Sequence, residues 1–344
     1  MATRHTRQFG VGKRVNTRSL DSCVPDTMRY NASHCLLPDN FMNNSLSNHL
    51  PRTTVARIAL IYVALFWGMS WLAFRYLYDW GMSGMSVGIA ISIAATVFAW
   101  VLARSHLRAE LASISKPALI LMAVSAAFSN LGFTWGMVHG EVMRVMLLFY
   151  LMPVWTGLMA TLIFGERTNW AGWLGIALGL LGAMVMLYDP AKGLPLPANA
   201  AEWSGLGAGF ASALLNVQVR HVSTMRSDVQ AFVYGFGAIV VGGVWLQFES
   251  GSHLPRSDMW LPAVALIVLM GALLMLSYRM YQFGLKYLTS HQAVVIFPFE
   301  LVVGAVSSAL IAHEMMSTRA WIGGFLIAFA SFISSWWGMA DDAH

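Results

Sequence analysis

The sequence predicts an all-α integral membrane protein with ten transmembrane helices, arranged as two inverted five-helix repeats with both termini in the cytoplasm. Three observations lead to this fold class. The chain is 57% hydrophobic and only 11% charged. Apolar stretches of about twenty residues fill it from Arg57 onward, and the second five stretches repeat the pattern of the first five. A soluble protein of 344 residues needs more charged residues to cover its surface.

The ten apolar stretches, numbered as spans 1 to 10, are separated by charged and turn-forming residues. A hydrocarbon core about 30 Å thick requires roughly 20 apolar residues in a crossing helix. Ile58–Phe66 and Val145–Leu151 are apolar throughout, whereas a β-barrel strand would alternate, so the spans are helices. Spans 1 to 10 are predicted at Ile58–Tyr78, Met85–Ala103, Pro117–Val138, Val142–Phe164, Trp170–Tyr188, Trp203–Val219, Val229–Phe248, Met259–Leu285, Gln292–Ala312 and Ala320–Met339.

The second half of the chain repeats the first at a constant step of 148 residues. Each half has five spans, an odd number, so the second half must enter the membrane in the opposite orientation, as an inverted repeat. The predicted organisation is a polar tail over 1–53, a first five-helix repeat over 54–190 and a second over 202–340. The step joins Gly136 with Gly284, Glu166 with Glu314, Trp173 with Trp321 and Gly175 with Gly323.

Basic residues indicate how the chain lies across the membrane, because cationic loops resist translocation. The tail and the loops on its side hold sixteen Lys or Arg, the opposite loops hold four, and Arg75 lies within span 1. Both termini are therefore predicted to be cytoplasmic, in a multi-pass protein of the inner (plasma) membrane. The same asymmetry accounts for the net charge of +5, so the composition requires no nucleic acid partner.

Residues 1–53 are polar and lack helical periodicity, which predicts a disordered cytoplasmic tail. Translation starting at Met42 would remove most of it. The tail contains Cys23 and Cys35, the two cysteines of the protein, without a second pair or a histidine cluster beside them. We therefore interpret them as reduced thiols and predict neither a metal nor a cofactor.

Glu300 is the most informative polar residue, because it is the acid that the sequence places at mid-membrane depth, in span 9. Ionisable residues inside a membrane are costly and usually line a cavity or a proton path. Glu300 is therefore predicted to lie in the substrate cavity, and proton coupling through its carboxylate is the further hypothesis. The alternative is that Glu300 only joins helices by hydrogen bonding.

Pro153 and Pro298 lie near the centres of spans 4 and 9 and are assigned to the same cavity. A proline removes one helical hydrogen bond and frees a carbonyl group. Interrupted helices at equivalent depth in two halves point to a transporter's binding site, although prolines in membrane helices also serve packing alone. In the 148-residue register Pro153 pairs with Leu301 and Pro298 with Tyr150, so the match in depth is imperfect.

Other polar and aromatic side chains within the spans complete the predicted cavity. Amides, hydroxyls and aromatic rings suit an amphipathic or zwitterionic small solute better than a bare ion or a polyphosphate. Each of these residues has the alternative role of an interhelical hydrogen bond or core packing. They are Trp67 and Ser70 on span 1, Asn130 and Trp135 on span 3, Tyr150 on span 4, Asn216 and Gln218 on span 6, and Tyr278 on span 8.

Two arginines lie near the predicted outer ends of spans. Arg144 follows Glu141 by three residues, so a local ion pair on one helical face is the first interpretation. The alternative places Arg144 in the cavity, where its guanidinium would hold a substrate carboxylate. Arg75 on span 1 raises the same choice, with snorkelling to the membrane interface as the simpler interpretation.

The sequence carries no complete enzyme motif. His313-Glu314 resembles the start of a zinc-protease helix, but Ser317 occupies the position of the second histidine. The sequence contains no ATP-binding loop, so active transport would have to draw on an ion gradient or on the substrate's own gradient. The glycines of spans 5 and 6 allow close helix packing, either within the bundle or between the two protomers of a homodimer.

Short motifs recur in the two halves. The first half contains Trp67-Gly68, Leu151-Met152-Pro153-Val154, Gly165-Glu166 and Trp173-Leu174-Gly175, and the second contains Phe297-Pro298, Glu314 and Trp321-Ile322-Gly323. Together they resemble the EamA family of the drug/metabolite transporter superfamily, over residues 56–339. The resemblance implies ten helices in two inverted halves, with substrate held between spans 1, 3, 4, 6, 8 and 9. It also implies a carrier, commonly an exporter of amino acids or related metabolites.

The paired motif residues Glu166, Gly175, Glu314 and Gly323 are assigned structural roles. Each glutamate precedes a helix, at opposite faces of the membrane, where acids favour helix N-termini. The second copy departs from the family pattern, because Ala312-His313 precedes Glu314 where a Gly-Glu pair is expected.

The sequence therefore predicts a non-enzymatic secondary carrier that works by alternating access, with export of amino acids or related compounds as the first choice. Its predicted partners are a small-molecule substrate, the lipid bilayer and protons. A drug or toxic-compound efflux carrier is the runner-up, because 12% aromatic residues and 22 methionines would form an adaptable cavity. From another class, a membrane-embedded enzyme would need further ionisable groups beside Glu300, and a sensor would need the tail as its docking segment.

Overall fold

The computed structural model describes residues 51–164, 170–188, 196–221, 225–288, 290–314 and 316–337. The chain divides into two units after Pro38, and every described residue belongs to the second unit, Asp39–His344. The described residues form α-helices, two short 3-10 helices and connecting loops, with no β-strand among them. The prediction of an all-α protein is confirmed.

Helices occupy the positions of the predicted spans. Span 4 consists of two helices that meet end to end, α5 and α6, and a short helix, α3, lies between spans 2 and 3. In chain order the helices are α1 Arg52–Asp79, α2 Gly84–Ala103, α3 Leu107–Ser113, α4 Lys116–His139, α5 Val142–Phe149, α6 Met152–Phe164, α7 Trp170–Leu187, α8 Ala200–His221, α9 Ser227–Trp245, α10 Trp260–Tyr287, α11 Ser290–Ile311 and α12 Thr318–Trp337.

Six helical stretches among the described residues are long and apolar enough to cross a membrane: α1, α2, α4, the α5–α6 pair, α9 and α10. Helices α7, α11 and α12 contain shorter apolar stretches of 10–17 residues. Helix α8 has the length of a span, 22 residues, but carries Glu202, Asn216 and Gln218. The described helices are those of a multi-pass membrane protein, and the count of ten crossings stays a prediction.

Large apolar side chains cover much of the outer surface of the bundle. Leu162, Leu261 and Phe325 are 78%, 82% and 68% exposed, an arrangement that is unfavourable in water and favourable in lipid. The buried side chains, among them Trp71 and Val145–Leu148, fill the space between the helices. The bundle therefore has an apolar exterior and a packed interior.

Helices of the first half pack against helices of the second half in matched pairs. Helix α4 of the first half packs against α8 and α9 of the second half. Its counterpart in the second half, α10, packs in the same way against α1 and α2 of the first half. The α5–α6 pair contacts α8, and its counterpart α11 contacts α1. Two further contacts, α2 with α9 and α7 with α12, join equivalent helices directly. Equivalent contacts of this kind are what a pseudo-two-fold axis between two halves produces.

Helices α7 and α12 approach each other through glycines. A Cβ built on Gly323 would lie only 2.5 Å from the carbonyl oxygen of Gly182, so neither helix has room for a side chain at the crossing. Gly179 faces Ala330, so residue numbers rise along α7 as they fall along α12. The two helices are therefore antiparallel, and these glycines of span 5 serve packing within the protomer. Gly175, the 148-step partner of Gly323, is also buried.

Span 4 is interrupted where α5 ends at Phe149, before α6 begins at Met152. Pro153 has no N–H, so it cannot donate the helical hydrogen bond to the carbonyl of Phe149. On the facing helix α8, a Cβ built on Gly209 would lie 2.6 Å from this carbonyl oxygen. Because Gly209 has no Cβ, α8 packs directly against the break. The interruption leaves Tyr150 at the end of α5, in the middle of span 4.

Candidate functional site

A pair of polar side chains joins the two halves at the break in span 4. The hydroxyl of Tyr150, the residue directly after α5, interacts electrostatically with the carboxylate of Glu300 on α11. Both residues are partly buried. Helix α1 comes close at the same level, because a Cβ on Gly68 would lie 2.8 Å from the backbone oxygen of Glu300. The structure thus brings together two of the residues that the sequence predicts for the cavity.

A narrow crevice with a cavity volume of about 20 Å³ lies between α1, α2, α4 and α10. Asn130 and Thr134 provide its polar side chains, and the rest of the lining is apolar or aromatic. In this conformation it has room for little more than a water molecule, so a solute could enter only after the helices move apart. The lining residues are Phe66, Trp67, Phe74, Gly88, Ile91, Asn130, Phe133, Thr134, Met270 and Leu274.

A row of aromatic rings connects this crevice with the Tyr150–Glu300 pair. The ring centroids of Trp67 and Phe133 lie 6.4 Å apart, those of Phe133 and Phe149 4.8 Å, and those of Phe149 and Tyr150 6.2 Å. Edge-to-face and tilted contacts at such distances are favourable. We call the crevice, the row of rings and the Tyr150–Glu300 pair together the central site.

The central site offers three kinds of contact to a small solute. Its aromatic rings can pack against apolar groups and against a cation. The amide of Asn130 can both donate and accept hydrogen bonds. The carboxylate of Glu300 can bind an ammonium group or exchange a proton. Among the described residues, no three His, Cys, Asp or Glu side chains are placed to hold a metal ion.

Several residues predicted for the cavity do not line the crevice in this conformation. Ser70 is buried, and its hydroxyl donates to the carbonyl of Trp67 one turn earlier in α1. Four others make their contacts with residues away from the crevice lining. Trp135 bonds to Glu249, Gln218 to Ser125 and Asn216 to the sulfur of Met152, and Tyr278 packs edge-to-face on Tyr234.

Arg144 pairs with Glu202 of α8, so the expected local pair with Glu141 is wrong. Its Nε lies 2.9 Å from Oε1 of Glu202. The side chain of Glu202 is 3% exposed and also accepts the N–H of Ala198 at 2.8 Å. A buried carboxylate needs a counter-charge more than the exposed Glu141 does. Arg144 also lines a wider, open cavity of about 390 Å³, shared with Arg319, and its role towards a substrate carboxylate stays a prediction.

The two predicted prolines differ in their effect on the backbone. Pro153 coincides with the interruption of span 4. Pro298 lies within α11, which is helical from Ser290 to Ile311, and its side chain lies outside the described part of the chain. The prediction of matched interruptions therefore holds for the first half only.

The motif glutamate Glu314 contacts the first half rather than its own helix. One carboxylate oxygen accepts the N–H of Val142, the first residue of α5, at 2.8 Å. The other lies 2.7 Å from the guanidinium of Arg75. Its 148-step partner Glu166 lies outside the described residues, so the matching role of Glu166 stays a prediction.

The sequence does not predict the contacts of two charged residues, Arg75 and Glu249. Arg75 binds a glutamate 239 positions away, rather than reaching the membrane interface alone. Glu249 accepts hydrogen bonds from the Ser83 hydroxyl at 2.5 Å, the Met85 N–H at 3.1 Å and the Trp135 indole at 3.1 Å. No local pattern marks these pairings, because the partners are distant in sequence. Of the two residues, only Arg75 is marked in the sequence, because a charged residue within an apolar span indicates a buried partner.

The fold and the central site define a class: a multi-pass helical membrane protein whose two halves pack around a polar site at mid-span. The sequence profile of the EamA-like transporter family matches residues 55–188 and again residues 199–336. The chain belongs to the EamA-like transporter family. The predicted resemblance is confirmed, and the ends of the two matches, 188 and 336, lie 148 positions apart, the step of the predicted register.

Solved structures agree on the fold. A structure described only as "Crystal structure of protein" superposes with a TM-score of 0.54 at 16% identity, covering 81% of this chain and 95% of its own. At that identity the likeness shows the fold alone. Curated proteins give no match. Family membership makes the chain a transporter of the drug/metabolite type, which binds a small-molecule substrate within the lipid bilayer.

Proposed function

We propose that this chain is a secondary transporter of small organic metabolites that works by alternating access and exports amino acids or related compounds. The observation that carries the proposal is the Tyr150–Glu300 pair, which joins the two halves beside an aromatic crevice. Ionisable side chains at mid-membrane depth are costly and mark substrate or proton paths. A site at the junction of two repeats is also where transporters of this architecture bind their solutes.

We further propose ten crossings in two inverted halves, with both termini on the cytoplasmic side of the inner (plasma) membrane. In an inverted repeat, equivalent helices cross the membrane in opposite directions, so they must be antiparallel wherever they touch. The antiparallel contact of α7 with α12 supports this topology. The contact of α2 with α9 supports it as well, since Gly235 faces Ser92 and Gly242 faces Ile89. The excess of basic residues on one side supports the orientation.

The groups in the central site suit a zwitterionic solute with an apolar part. Glu300 could receive an ammonium group, the amide of Asn130 could bond to a carboxylate, and the rings of Trp67 and Phe133 could pack on an apolar side chain. Glu300 is also the group that would exchange a proton in a coupled cycle. Protonation would weaken its contact with Tyr150, because a neutral carboxylic acid is a weaker hydrogen-bond acceptor than a carboxylate.

A carrier for drugs or lipophilic toxic compounds is the second candidate function. The aromatic row favours it, as do methionines at the site: Met270 lines the crevice, and Met146 packs against Gly304 of α11. Methionine side chains adapt to ligands of different shape. The two functions differ in their dependence on charge, because a lipophilic neutral solute has no ammonium group for Glu300 to bind.

The test is uptake of a radiolabelled amino-acid panel into proteoliposomes, with and without an imposed proton gradient. Wild type is compared with Glu300→Gln, which keeps the size of the side chain and removes its charge, and with Tyr150→Phe, which removes only the hydroxyl. Glu141→Gln is the matched control, because Glu141 is an exposed carboxylate at the start of α5. Each protein is first shown to be folded by size-exclusion chromatography and circular dichroism.

If Glu300 carries the coupled proton, Glu300→Gln should lower gradient-driven uptake by about tenfold or more while retaining exchange of substrate for substrate. If Glu300 instead binds the ammonium group of the substrate, exchange should fall as well. Tyr150→Phe should lower gradient-driven uptake less, since one hydrogen bond between membrane helices contributes about 0.6 kcal/mol on average. The control should transport like wild type. Equal uptake by wild type and Glu300→Gln would refute the role of Glu300. Transport of lipophilic compounds alone would favour the drug carrier.

A further inference from the structure

Arg75 of α1 is held by a set of contacts at one end of the bundle. Its Nη2 lies 2.7 Å from Oε1 of Glu314 and donates to the carbonyl of Gly140 at 2.6 Å. Its Nε donates to the carbonyl of Met137 at 3.2 Å, and its guanidinium carbon lies 5.2 Å from the ring centre of Trp71. We call this set the Arg75 clasp, and the end of the bundle where it lies the Glu314 face.

The Arg75 clasp links the two halves of the chain. Arg75 and the two carbonyls belong to the first half, whereas Glu314 comes from the loop between α11 and α12 in the second. Glu314 is fixed in turn, because its Oε2 accepts the N–H of Val142 at the start of α5. The ion pair is largely buried, at 25% and 16% exposure of the two side chains, so it is screened less than a surface pair.

The position of the Arg75 clasp relative to the crevice suggests its role. Phe74 and Thr134 line the crevice, and they are the lining residues of α1 and α4 nearest to the Glu314 face. Arg75 follows Phe74 directly, and its partner Met137 lies one helical turn beyond Thr134. The contacts of the Arg75 clasp therefore join α1 to α4, and both to the second half, directly beyond this end of the crevice.

A second tie lies on the same face. Glu249, in the loop after α9, accepts the N–H of Met85 at the start of α2 and the indole N–H of Trp135 on α4. It too joins the second half to the first. Like the partners of Arg75, these residues do not line the crevice but lie next to residues that do, since Trp135 follows Thr134 and Met85 lies one helical turn before Gly88. Among the described residues, the Glu249 tie differs from the Arg75 clasp in having no cation paired with its carboxylate.

We propose that the Arg75–Glu314 pair is the gate that closes the central site towards the Glu314 face, and that it must separate before a solute can pass there. The inference rests on alternating access as proposed above. In the closed state the pair stabilises contact between α1, the end of α4 and the α11–α12 loop. Removing either charge therefore shifts the population towards a state that is open on this face.

The experiment measures access to the crevice and needs no substrate, so its failure and the failure of the proposed transport activity are distinguishable. Cys23 and Cys35 are replaced by serine, and Asn130→Cys places a single thiol in the crevice. A membrane-impermeant cationic methanethiosulfonate reagent is applied to intact cells and, separately, to inside-out vesicles. The labelling rate is compared among the parent, Arg75→Gln, Glu314→Gln and the double variant. Ser252→Cys, an exposed position on the Glu314 face, controls for reagent reactivity.

Each single variant is expected to raise the labelling rate of the crevice thiol about tenfold, the ratio that corresponds to a 1.4 kcal/mol change in the open–closed equilibrium. The double variant is expected to match the single variants rather than multiply their effects, because both remove the same interaction. Arg75→Lys keeps the charge but loses the forked geometry, so it is expected to fall between wild type and Arg75→Gln. The control thiol should label at one rate throughout.

With both termini in the cytoplasm, as the sequence predicts, the Glu314 face lies on the outer side of the membrane. The increase in labelling rate is therefore expected in intact cells. An increase seen only in inside-out vesicles would support the gate and reverse the orientation of the chain. Unchanged labelling in both preparations, in single variants that elute as folded protein, would overturn the gate. So would effects that multiply in the double variant, because Arg75 and Glu314 would then act independently.

Discussion

Replacing Gly323 with alanine tests the closest approach between the two halves. The new Cβ would lie 2.5 Å from the carbonyl oxygen of Gly182, 2.7 Å from the Cβ of Met186 and 2.9 Å from its backbone nitrogen. Two of these three atoms belong to the backbone of α7, so rotation of a flexible side chain cannot relieve the overlap. Helix α12 must instead move away from α7.

The size of the effect follows from that displacement. Ordinary van der Waals contact begins at 3.4 Å, so the helices must part by up to about 0.9 Å at the crossing. Overpacking of a well-packed core costs about 1–3 kcal/mol. Alanine recovers about 1 kcal/mol of this, because glycine is the poorer helix former. The net change expected for Gly323→Ala is therefore a loss of roughly 0–2 kcal/mol.

Gly207→Ala is the matched control, since it makes the same chemical change in a helix. No atom lies within 4 Å of a Cβ built on Gly207, so this variant gains the helix preference of alanine without overlap. The difference between the two variants isolates the packing contribution, about 1–3 kcal/mol. Unfolding of the purified protein in mixed micelles, followed by circular dichroism as denaturing detergent is added, measures this difference. Equal stability of the two variants would refute the glycine crossing of α7 and α12.

Two further predictions concern the loops of the Glu314 face. Glu249→Gln should lower stability by about 0.5–2 kcal/mol, because it removes the charge that caps α2; unfolding in mixed micelles measures the loss, and Glu141→Gln, with no loss, is the control. His313→Gly should raise stability by up to about 1 kcal/mol, because His313 adopts a left-handed φ of 55° that costs any residue with a Cβ. A lower stability of His313→Gly would show that its side chain outweighs the backbone strain.

The positions of the helices can be predicted from the sequence because lipid imposes a simple rule. Each crossing must satisfy its backbone internally over a fixed thickness, so an unbroken apolar run defines a helix. The predicted helix bounds differ most from the structure outside the hydrocarbon core, where this rule does not apply. Helix α1 begins at Arg52, well before the predicted start at Ile58, because a helix can continue into the polar interface. The break between α5 and α6 is indicated by Pro153, whose missing N–H acts locally.

The partners of charged side chains cannot be predicted in the same way. Spacing assigns Arg144 to Glu141 because the two residues share a helical face, yet the structure pairs it with Glu202, 58 positions away. Arg75 binds Glu314 across 239 positions. Sequence spacing reports neighbours within one helix only. Which helix lies alongside depends on packing, and a single sequence contains that information only through the 148-residue register.

Membership of the central site is predictable in part, for a related reason. An apolar span has polar or aromatic residues on several sides, and its uniform hydrophobicity leaves the rotation of the helix undefined. Trp67 and Asn130 line the crevice, whereas Trp135, on the same helix as Asn130, reaches the loop residue Glu249. Phe133 escapes the sequence analysis, although it links the crevice to Phe149. The role of Phe133 depends on the rings that it contacts, and a phenylalanine in an apolar span gives no sign of such contacts.

His313 occupies a position where the family motif has glycine, and its backbone conformation is one that glycine favours. The sequence predicts a mismatch there, since a Gly-Glu pair is expected and Ala312-His313 precedes Glu314. The backbone of His313 has a positive φ, a conformation that glycine adopts without strain. The turn is needed because it carries the chain from the end of α11 to the point where Glu314 meets Arg75. His313 therefore keeps the left-handed backbone conformation even though glycine, the residue that best suits it, is absent.

Besides the Tyr150–Glu300 pair at mid-span, charged ties between the halves lie at both ends of the bundle. On the Glu314 face, Glu314 and Glu249 of the second half accept N–H groups at the starts of α5 and α2. On the opposite face the ties run in both directions. Glu110 of the first half accepts the N–H of Arg226, just before α9, and Asp228 of the second half lies 3.0 Å from Nε2 of His106.

Between these two layers the halves are joined by the Tyr150–Glu300 pair and by hydrogen bonds of neutral groups. The indole of Trp71 donates to the hydroxyl of Ser307, and the hydroxyls of Ser129 and Ser212 bond to each other. Charged contacts at helix ends are stronger than neutral bonds of this kind. Separating either face therefore costs more than rearranging the neutral contacts nearer mid-span. Among the contacts between the halves, these neutral bonds therefore offer the least resistance to opening.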